Sequence, residues 1–148
     1  MNNMAESVKE YLEYIEKADV LIKNKCIEVY QLRCLATSIT APTDAESIRT
    51  SGVTDRVGNI VPKIVQLEKE INQMVDEFVD EKARRIQLIE RLESTVEYDV
   101  IHKKYVQYKK LTEIAIEIGY AYQSVVEIHG KALNHLSKHM ETYISKAV

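Results

Sequence analysis

The sequence predicts an all-α protein: a long antiparallel helical hairpin, coiled-coil-like in its spacing, followed by a C-terminal helix-turn-helix. Three observations support this fold class. The 148 residues include only 4 Gly and 2 Pro, so long stretches contain no residue that breaks a helix. Apolar residues recur at helical steps of three, four and seven along two of these stretches. Gly119 separates two shorter apolar series that also have helical spacing.

The composition is ordinary for a folded protein, with 45% hydrophobic and 29% charged residues. The formal net charge of -3 provides no overall basic field that would favour nucleic acid. The C-terminal part of the chain, from Glu97 to Val148, is less acidic than the rest, because it contains 7 Lys and 6 Asp and Glu residues. No apolar run reaches membrane-spanning length, and the polar, acidic start does not resemble a signal peptide. We therefore expect a cytoplasmic protein with no membrane partner.

The first long helix is predicted from about Glu6 to Ser38. Cys26 and Cys34 are eight residues apart, which is about 12 Å along a helix axis and too far for a disulfide between them. Both are predicted to be small buried hydrophobes in a reducing compartment, with pairing between chains or redox sensing as the alternative. The inward stripe comprises Val8, Leu12, Ile15, Ile22, Cys26 and Val29, and it is widened by Tyr11, Tyr14, Val20, Leu21, Ile27 and Tyr30.

Residues 37–55 are predicted to form a long connection. The segment contains Pro42, Gly52 and many Ser and Thr, and it has no sustained apolar period. A connection of this length in a compact protein is usually functional or mobile. A short helical turn around Ala45 to Arg49 is an alternative for part of it.

A second long helix is predicted from Thr54 or Asp55 to about residue 93, with Pro62 bending its start or moving it later. Its charged face, including the run DEKARR, is expected to be solvated and to hold local ion pairs. The helix cannot bury its apolar stripe alone, so we expect the first helix to pack against it and a second copy of the chain to complete a homo-oligomer. The stripe comprises Val57, Ile60, Ile64, Leu67, Ile71, Met74 and Phe78, continued by Ile86, Ile89 and Leu92.

A break at residues 93–95 divides the chain into two predicted domains, the helical hairpin of residues 1–94 and the helix-turn-helix domain of residues 95–148. A short third helix is predicted from Tyr98 to Val106. Residues 107–110 then lead into the motif, and the last helix is predicted from Tyr122 to about Lys146. The inward positions of the third helix are Val100, Ile101 and Tyr105.

The segment Leu111 to Gly130 matches the structural positions of a helix-turn-helix. Ala115 is small enough for two helices to cross closely, and Gly119 can adopt the positive φ of a sharp turn. This motif is used to place its second helix in the major groove of DNA. The apolar template positions are occupied by Ile114, Ile118, Tyr120, Val125 and Ile128.

Several segments also resemble known families. Tyr105, Leu111 to Ala115, Gly119-Tyr120 and Val125 to Leu133 resemble the C-terminal promoter-reading domain of bacterial sigma factors. The segments ATSITAP, TDRVGNIVPKIVQLEKEIN and IHGKAL are similar to the ArpU/RinA-like phage transcriptional regulators, which join a helical N-terminal region to a sigma-like helix-turn-helix. The resemblance runs from about residue 30 to residue 137. It implies control of phage gene transcription through double-stranded DNA, with RNA polymerase as a further partner.

The resemblance assigns roles to exposed residues of the motif. Where the family favours Ser, this chain has Ala121, and it has Gln123 and Glu127 where the family favours Arg. A glutamine can bind adenine bidentately, and a glutamate can accept from cytosine. The alternatives to these DNA contacts are that Tyr122 packs in the turn and that the lysines are simply solvated. The base-facing candidates are Tyr122, Gln123, Val126 and Glu127, and the phosphate candidates are Lys109, Lys110, Thr112, Ser124 and Lys131.

No catalytic pattern is present in the sequence. His135 and His139 have the i, i+4 spacing of a helical metal pair, but no HExxH glutamate or third ligand accompanies them, so we expect partly exposed histidines and no metal. Without a Ser-His-Asp order or a phosphate loop, neither an enzyme nor a cofactor is expected. Two alternatives to the regulator remain: a helical adaptor that binds a protein through the same surface, and a DNA-packaging recognition subunit. A basic surface around residues 109–131 would favour DNA as the partner, and an apolar or acidic surface there would favour a protein partner.

Overall fold

The computed structural model describes residues 3–40 and 51–147 and places them in five α-helices, with no β-strand in those ranges. The predicted all-α fold class is confirmed. None of the helices in the described ranges has both the length and the apolar character needed to cross a membrane. The helices are α1 (Asn3–Thr40), α2 (Ser51–Ile89), α3 (Thr95–Tyr105), α4 (Leu111–Ile118) and α5 (Tyr122–Ala147).

The chain forms two compact units. Unit 1 comprises Met1–Ala18 and Phe78–Val148, and unit 2 comprises Asp19–Glu77. Both long helices therefore contribute to both units. The predicted domain boundary at residues 94 and 95 remains a prediction. So does the hairpin, because the connection between α1 and α2 falls on residues 41–50, outside the described residues.

The core of unit 1 joins the first turns of α1 to the end of α2, α3 and α5. Ten residues form one cluster, and six of them are large aliphatic side chains that are fully buried, each of which contributes roughly 2 kcal/mol through removal from water. Tyr105 is the one aromatic member. The cluster comprises Val8, Leu12, Leu88, Ile89, Leu92, Ile101, Tyr105, Ala132, Leu133 and Leu136.

Arg85 is buried in unit 1, so the prediction that the whole DEKARR face is solvated is wrong at this residue. Its guanidinium lies over the rings of Tyr11 and Tyr14, 4.0 and 4.1 Å from their centroids. The Nε atom donates to the carbonyl oxygen of Tyr11 at 2.7 Å, and an Nη atom donates to the Glu81 carboxylate at 2.6 Å. Stacking and charge-assisted hydrogen bonds thus compensate the desolvation of the charge.

Unit 2 contains the C-terminal part of α1 and the N-terminal part of α2, and the apolar core formed by its described side chains is small. Val29, Ile60 and Ile64 are buried, with further aliphatic residues half-buried around them. Cys26 and Cys34 are both exposed free thiols, so their predicted burial is wrong. The reason is geometric: two packed helices cover only one side of each other, and the wide apolar stripe of α1 extends beyond that side.

Several predicted helix boundaries are also corrected. Of the predicted connection 37–55, residues 37–40 belong to α1 and residues 51–55 to α2. Residues 41–50, with the possible turn at 45–49, lie outside the described residues. Helix α2 begins at Ser51, ends at Ile89 and includes Pro62 in its interior. Helix α3 begins three residues earlier than predicted, because the hydroxyl of Ser94 accepts the backbone N–H of Glu97 and caps the helix.

Candidate nucleic-acid interface

Helices α3, α4 and α5 are held together by a second core in unit 1. Val100, Ile114 and Val125 are completely buried there, and Ala115 is almost completely buried. The methyl side chain of Ala115 takes little space between the helices, as the motif requires. Around these residues, Val96, Leu111, Ile118 and Ile128 are partly buried. This core fixes the position of α5 relative to α4.

The connection from α4 to α5 is a sharp turn at Gly119. Its φ of 75° and ψ of 31° are left-handed, a conformation that favours glycine. The backbone N–H groups of Gly119 and Tyr120 both donate to the carbonyl oxygen of Ala115. Tyr120, predicted to occupy an interior position, is 43% exposed, because the turn directs it outward after α4 has ended. Two residues later α5 begins at Tyr122.

The first two turns of α5 have a buried side and an exposed side. Val125 is completely buried, whereas Gln123 and Glu127 are exposed and Tyr122 is 51% exposed. At about 100° per residue, the four base-facing candidates share an arc of roughly 140°, opposite the buried side. Val126, within that arc, is half-buried. The structure therefore brings the four candidates together on one face, and the exposure of Tyr122 does not support its packing in the turn.

The phosphate candidates surround this face but differ in their environments. Lys110 immediately precedes α4, and like Thr112 and Lys131 it is exposed. Ser124 is half-buried on the side of α5 away from the four candidates. Lys109 is only partly exposed, and its Nζ atom lies 2.6 Å from Oε2 of Glu117. Two exposed lysines and one engaged lysine thus flank the candidate surface.

Glu117, which the sequence interpretation did not single out, binds two lysines at once. Its carboxylate accepts from Lys109 at 2.6 Å and lies 3.4 Å from the Nζ atom of Lys103. The hydrogen bond from Lys109 lowers the pKa of Glu117, and Lys103 lowers it further. Lys103 is itself 3.0 Å from Asp99, and that hydrogen bond raises the pKa of the lysine. These four residues form an ionic network with no net charge between α3, the connection and α4.

Exposed apolar side chains lie next to the same turn. Ile116 is 83% exposed, the highest value among the large hydrophobic residues described as exposed. Tyr120 follows it by four residues, and Tyr122 is two further on. Because Ile114, Ala115 and Ile118 define the inward side of α4, helical geometry could have placed Ile116 outward from the sequence alone. The surface around residues 109–131 is therefore mixed, with basic, acidic and apolar groups.

The predicted histidine pair is on α5, well beyond this surface. Nδ1 of His135 lies 2.7 Å from Oε1 of Glu97 on α3, and this contact helps to hold the two helices together. Among the described residues, no group of three or more His, Cys, Asp or Glu side chains is arranged to hold a metal ion. His139 and His135 line one cleft together with Leu92, Ser94 and Glu97.

Comparison of the chain with protein-family models, with curated proteins and with solved structures gave no match in any of the three.

Proposed function

We propose that α4, the turn at Gly119 and α5 form a helix-turn-helix that binds double-stranded DNA, as in a phage-type transcriptional regulator. One observation carries the proposal. Tyr122, Gln123 and Glu127 extend from one exposed face of α5 directly after the turn, while Val125 anchors the opposite face in the core. An α-helix presented in this way fits the major groove with its N-terminal residues towards the base edges.

Each side chain of that face has a defined chemical role in the proposal. The amide of Gln123 can donate to N7 and accept from N6 of adenine, and the carboxylate of Glu127 can accept from N4 of cytosine. Val126 and the ring of Tyr122 supply apolar contact for a thymine methyl group. Each good polar pairing discriminates against a wrong base by about 1–3 kcal/mol. Specificity is thus expected to depend on few contacts.

The phosphate contacts set the affinity and its dependence on salt. Lys110 and Lys131 are exposed and available, whereas Lys109 is engaged by Glu117. Two or three neutralised phosphates give a slope of log affinity against log salt of about -2 to -3. That is a weak electrostatic contribution for a DNA-binding domain, so a single copy is expected to bind with modest affinity.

The test is a titration of labelled DNA from the neighbouring genome at several salt concentrations. Lys110→Ala is expected to weaken binding to all sequences and to reduce the salt slope by about one. Lys138→Ala is the matched control, because Lys138 is also exposed on the motif's helices but lies four turns along α5. No binding at low salt, or equal loss in the two variants, would sink the proposal.

Base contact is tested separately. Gln123→Ala should cost about 1–3 kcal/mol on the preferred site and much less on unrelated DNA. Gln87→Ala, an exposed glutamine on α2, is the control and should bind like the unsubstituted chain. Equal losses on preferred and unrelated DNA would show that Gln123 does not contact a base.

A helical protein adaptor is the second candidate, and the exposure of Ile116 favours it. An apolar side chain that is 83% exposed beside Tyr120 is typical of a contact with another protein. RNA polymerase is the partner that the family resemblance suggests for such a contact. Ile116→Ser should leave DNA titrations unchanged and abolish co-sedimentation with the polymerase. Unchanged co-sedimentation would exclude Ile116 from that contact.

A further inference from the structure

The exposed face of the first turns of α5 contains neither lysine nor arginine. Residues 122–130 read YQSVVEIHG, and α4, with the sequence LTEIAIEI, also contains neither. The one histidine of this stretch, His129, follows the buried Val125 by four residues, and its ring stacks on that of Tyr105. Lysine and arginine are the side chains that bind O6 and N7 of guanine, in the commonest specific contact between proteins and DNA. The face therefore lacks the groups that usually read guanine.

The nearest later cation on α5, Lys131, is placed for a phosphate rather than for a base. It lies eight residues beyond Gln123, which is about 12 Å along the axis of α5. A recognition helix contacts base edges through its N-terminal residues. Base readout is thus left to the four candidates at the start of α5. Their strongest hydrogen-bonding groups are the amide of Gln123 and the carboxylate of Glu127.

The carboxylate of Glu127 restricts which base can lie opposite it. The side chain is exposed, on the same side of α5 as Gln123 four residues earlier. In the major groove, guanine presents two acceptors, thymine an acceptor and a methyl group, and adenine an acceptor beside its donor, whereas cytosine presents only its N4 donor. An ionised carboxylate can only accept, so it meets another acceptor on every base except cytosine. The phosphates repel it as well, so a hydrogen bond from cytosine is what offsets the cost of placing Glu127 in the groove.

We propose that the motif reads its DNA site without contacting guanine, with Gln123 selecting an adenine and Glu127 selecting a cytosine. The inference rests on the proposed function and names the base pairs that its recognition face accepts. The two side chains are about 6 Å apart along the helix axis, and successive base pairs are about 3.4 Å apart, so the A·T and C·G pairs lie within two steps of each other. Because the carboxylate repels the other bases, each wrong base opposite Glu127 weakens binding about 5- to 150-fold.

The first test exchanges the two side chains without changing the net charge. The full-length chain and its double variant, Gln123→Glu with Glu127→Gln, each select duplexes from a randomised library. The unsubstituted chain should enrich an A·T pair and a C·G pair within two base steps, and the variant should enrich the same pairs in the opposite order. Because both proteins carry the same net charge, their slopes of log affinity against log salt should agree.

Helix α2 offers a matched control for this exchange. Gln66 and Glu70 are also exposed and four residues apart, and Nε2 of Gln66 lies 3.4 Å from Oε1 of Glu70. Gln66→Glu with Glu70→Gln therefore makes the same chemical change at the same spacing, outside the motif. This variant should select the same order of base pairs as the unsubstituted chain, and circular dichroism should show equal helix content in all three proteins. A reversed order in the control variant would overturn the inference.

The second test needs no substitution in the protein. Replacing adenine by 7-deazaadenine removes its N7 acceptor, and at the pair read by Gln123 this should weaken binding about 5- to 150-fold. Replacing every guanine of the selected duplex by 7-deazaguanine should change the affinity by less than about twofold, because no side chain of the face contacts guanine N7.

The two tests distinguish failure of this inference from failure of the proposed function. No binding to any duplex at low salt overturns both. Binding to duplex DNA with an order of base pairs that the exchange does not reverse, or with a loss of affinity on 7-deazaguanine, overturns only the readout without guanine.

Discussion

The Nε2 atom of His129 on α5 lies 2.8 Å from the phenolic oxygen of Tyr105 on α3. The two rings stack with their centroids 5.7 Å apart, so this pair joins the helix that presents the candidate surface to the rest of unit 1. Burial lowers the pKa of His129 to about 4, with smaller contributions from Lys104 and Lys9. Burial also raises the pKa of Tyr105. At neutral pH the hydroxyl of Tyr105 therefore donates to an uncharged imidazole.

Because the pKa of folded His129 is low, we predict that the protein loses stability as the pH falls from about 6.5 towards 4. In that range an unfolded histidine takes up a proton and the folded His129 does not, so protons favour the unfolded state. The free energy of unfolding should fall by roughly 1 kcal/mol per pH unit, and the contribution should be constant above pH 7. Urea denaturation at pH 7, 6 and 5 measures it.

The control for this pH dependence is His129→Gln, which keeps a hydrogen-bond acceptor for Tyr105 without a titrating ring. Desolvation also lowers the pKa of His102, and that contribution is present in both proteins. The difference in pH dependence between the two proteins therefore isolates the contribution of His129 to the free energy of unfolding. Parallel pH profiles for the two proteins would show that His129 is protonated in the folded chain at its ordinary pKa.

Arg85→Lys is predicted to destabilise the chain by about 1–3 kcal/mol. A lysine cannot stack flat between Tyr11 and Tyr14, and it cannot reproduce the separate hydrogen bonds of the guanidinium to Tyr11 and Glu81. The next residue provides the control. Arg84 also pairs with Glu81, but it is exposed, so Arg84→Lys should change the free energy of unfolding by less than about 0.5 kcal/mol. Thermal and urea denaturation compare the two; equal effects would refute the stacking role.

Helical periodicity predicted the fold class and most of the core. The stripe residues Val8, Leu12 and Ile15 are buried, as are Ile60 and Ile64, because regular spacing places them on one side of a helix. The inward residues of α3 were found in the same way. Periodicity could not predict how wide a side the partner helix covers, and so Cys26 was assigned to the core although it is exposed.

The candidate site could likewise be predicted only in part from the sequence. Gly119 and the interior residues of α4 and α5 follow from local backbone requirements, so the sequence located the turn correctly. The ion pair between Lys109 and Glu117 joins the connection before α4 to the end of α4, eight residues later. No local sequence pattern predicts it. Arg85 was missed for a related reason. A charged residue is assigned to the surface unless its partners, here the rings of Tyr11 and Tyr14, are known to lie beside it.

Alanine substitutions at two glycines of the candidate site are predicted to change the free energy of unfolding in opposite directions. Gly130 lies in the interior of α5, where no atom within 4 Å would meet an added Cβ, so Gly130→Ala should stabilise the chain by about 0.5–1 kcal/mol. Gly119 also has open space, but its φ of +75° is left-handed, so Gly119→Ala should destabilise by about 1 kcal/mol or more. Urea denaturation measures both. Stabilisation by Gly119→Ala would contradict the left-handed turn.

Glu117→Gln is predicted to strengthen DNA binding if the proposed function is correct. The carboxylate neutralises Lys109, so its removal frees one cation beside the candidate surface, while Lys103 stays paired with Asp99. Each additional phosphate contact should steepen the dependence of log affinity on log salt by about 0.9. We therefore expect tighter binding at low salt and a slope that is larger in magnitude by about one, measured by titration of the same labelled DNA.

Glu113→Gln separates this release from a simple change in net charge. Glu113 is an exposed glutamate one turn earlier on α4, so its substitution removes the same unit of negative charge while Glu117 continues to hold Lys109. A general field effect would raise the affinity equally in both variants, because long-range attraction depends on total charge. Release of Lys109 instead requires a larger change in slope in Glu117→Gln than in Glu113→Gln. Equal slopes in the two variants would mean that Lys109 does not reach the phosphates even when its partner is removed.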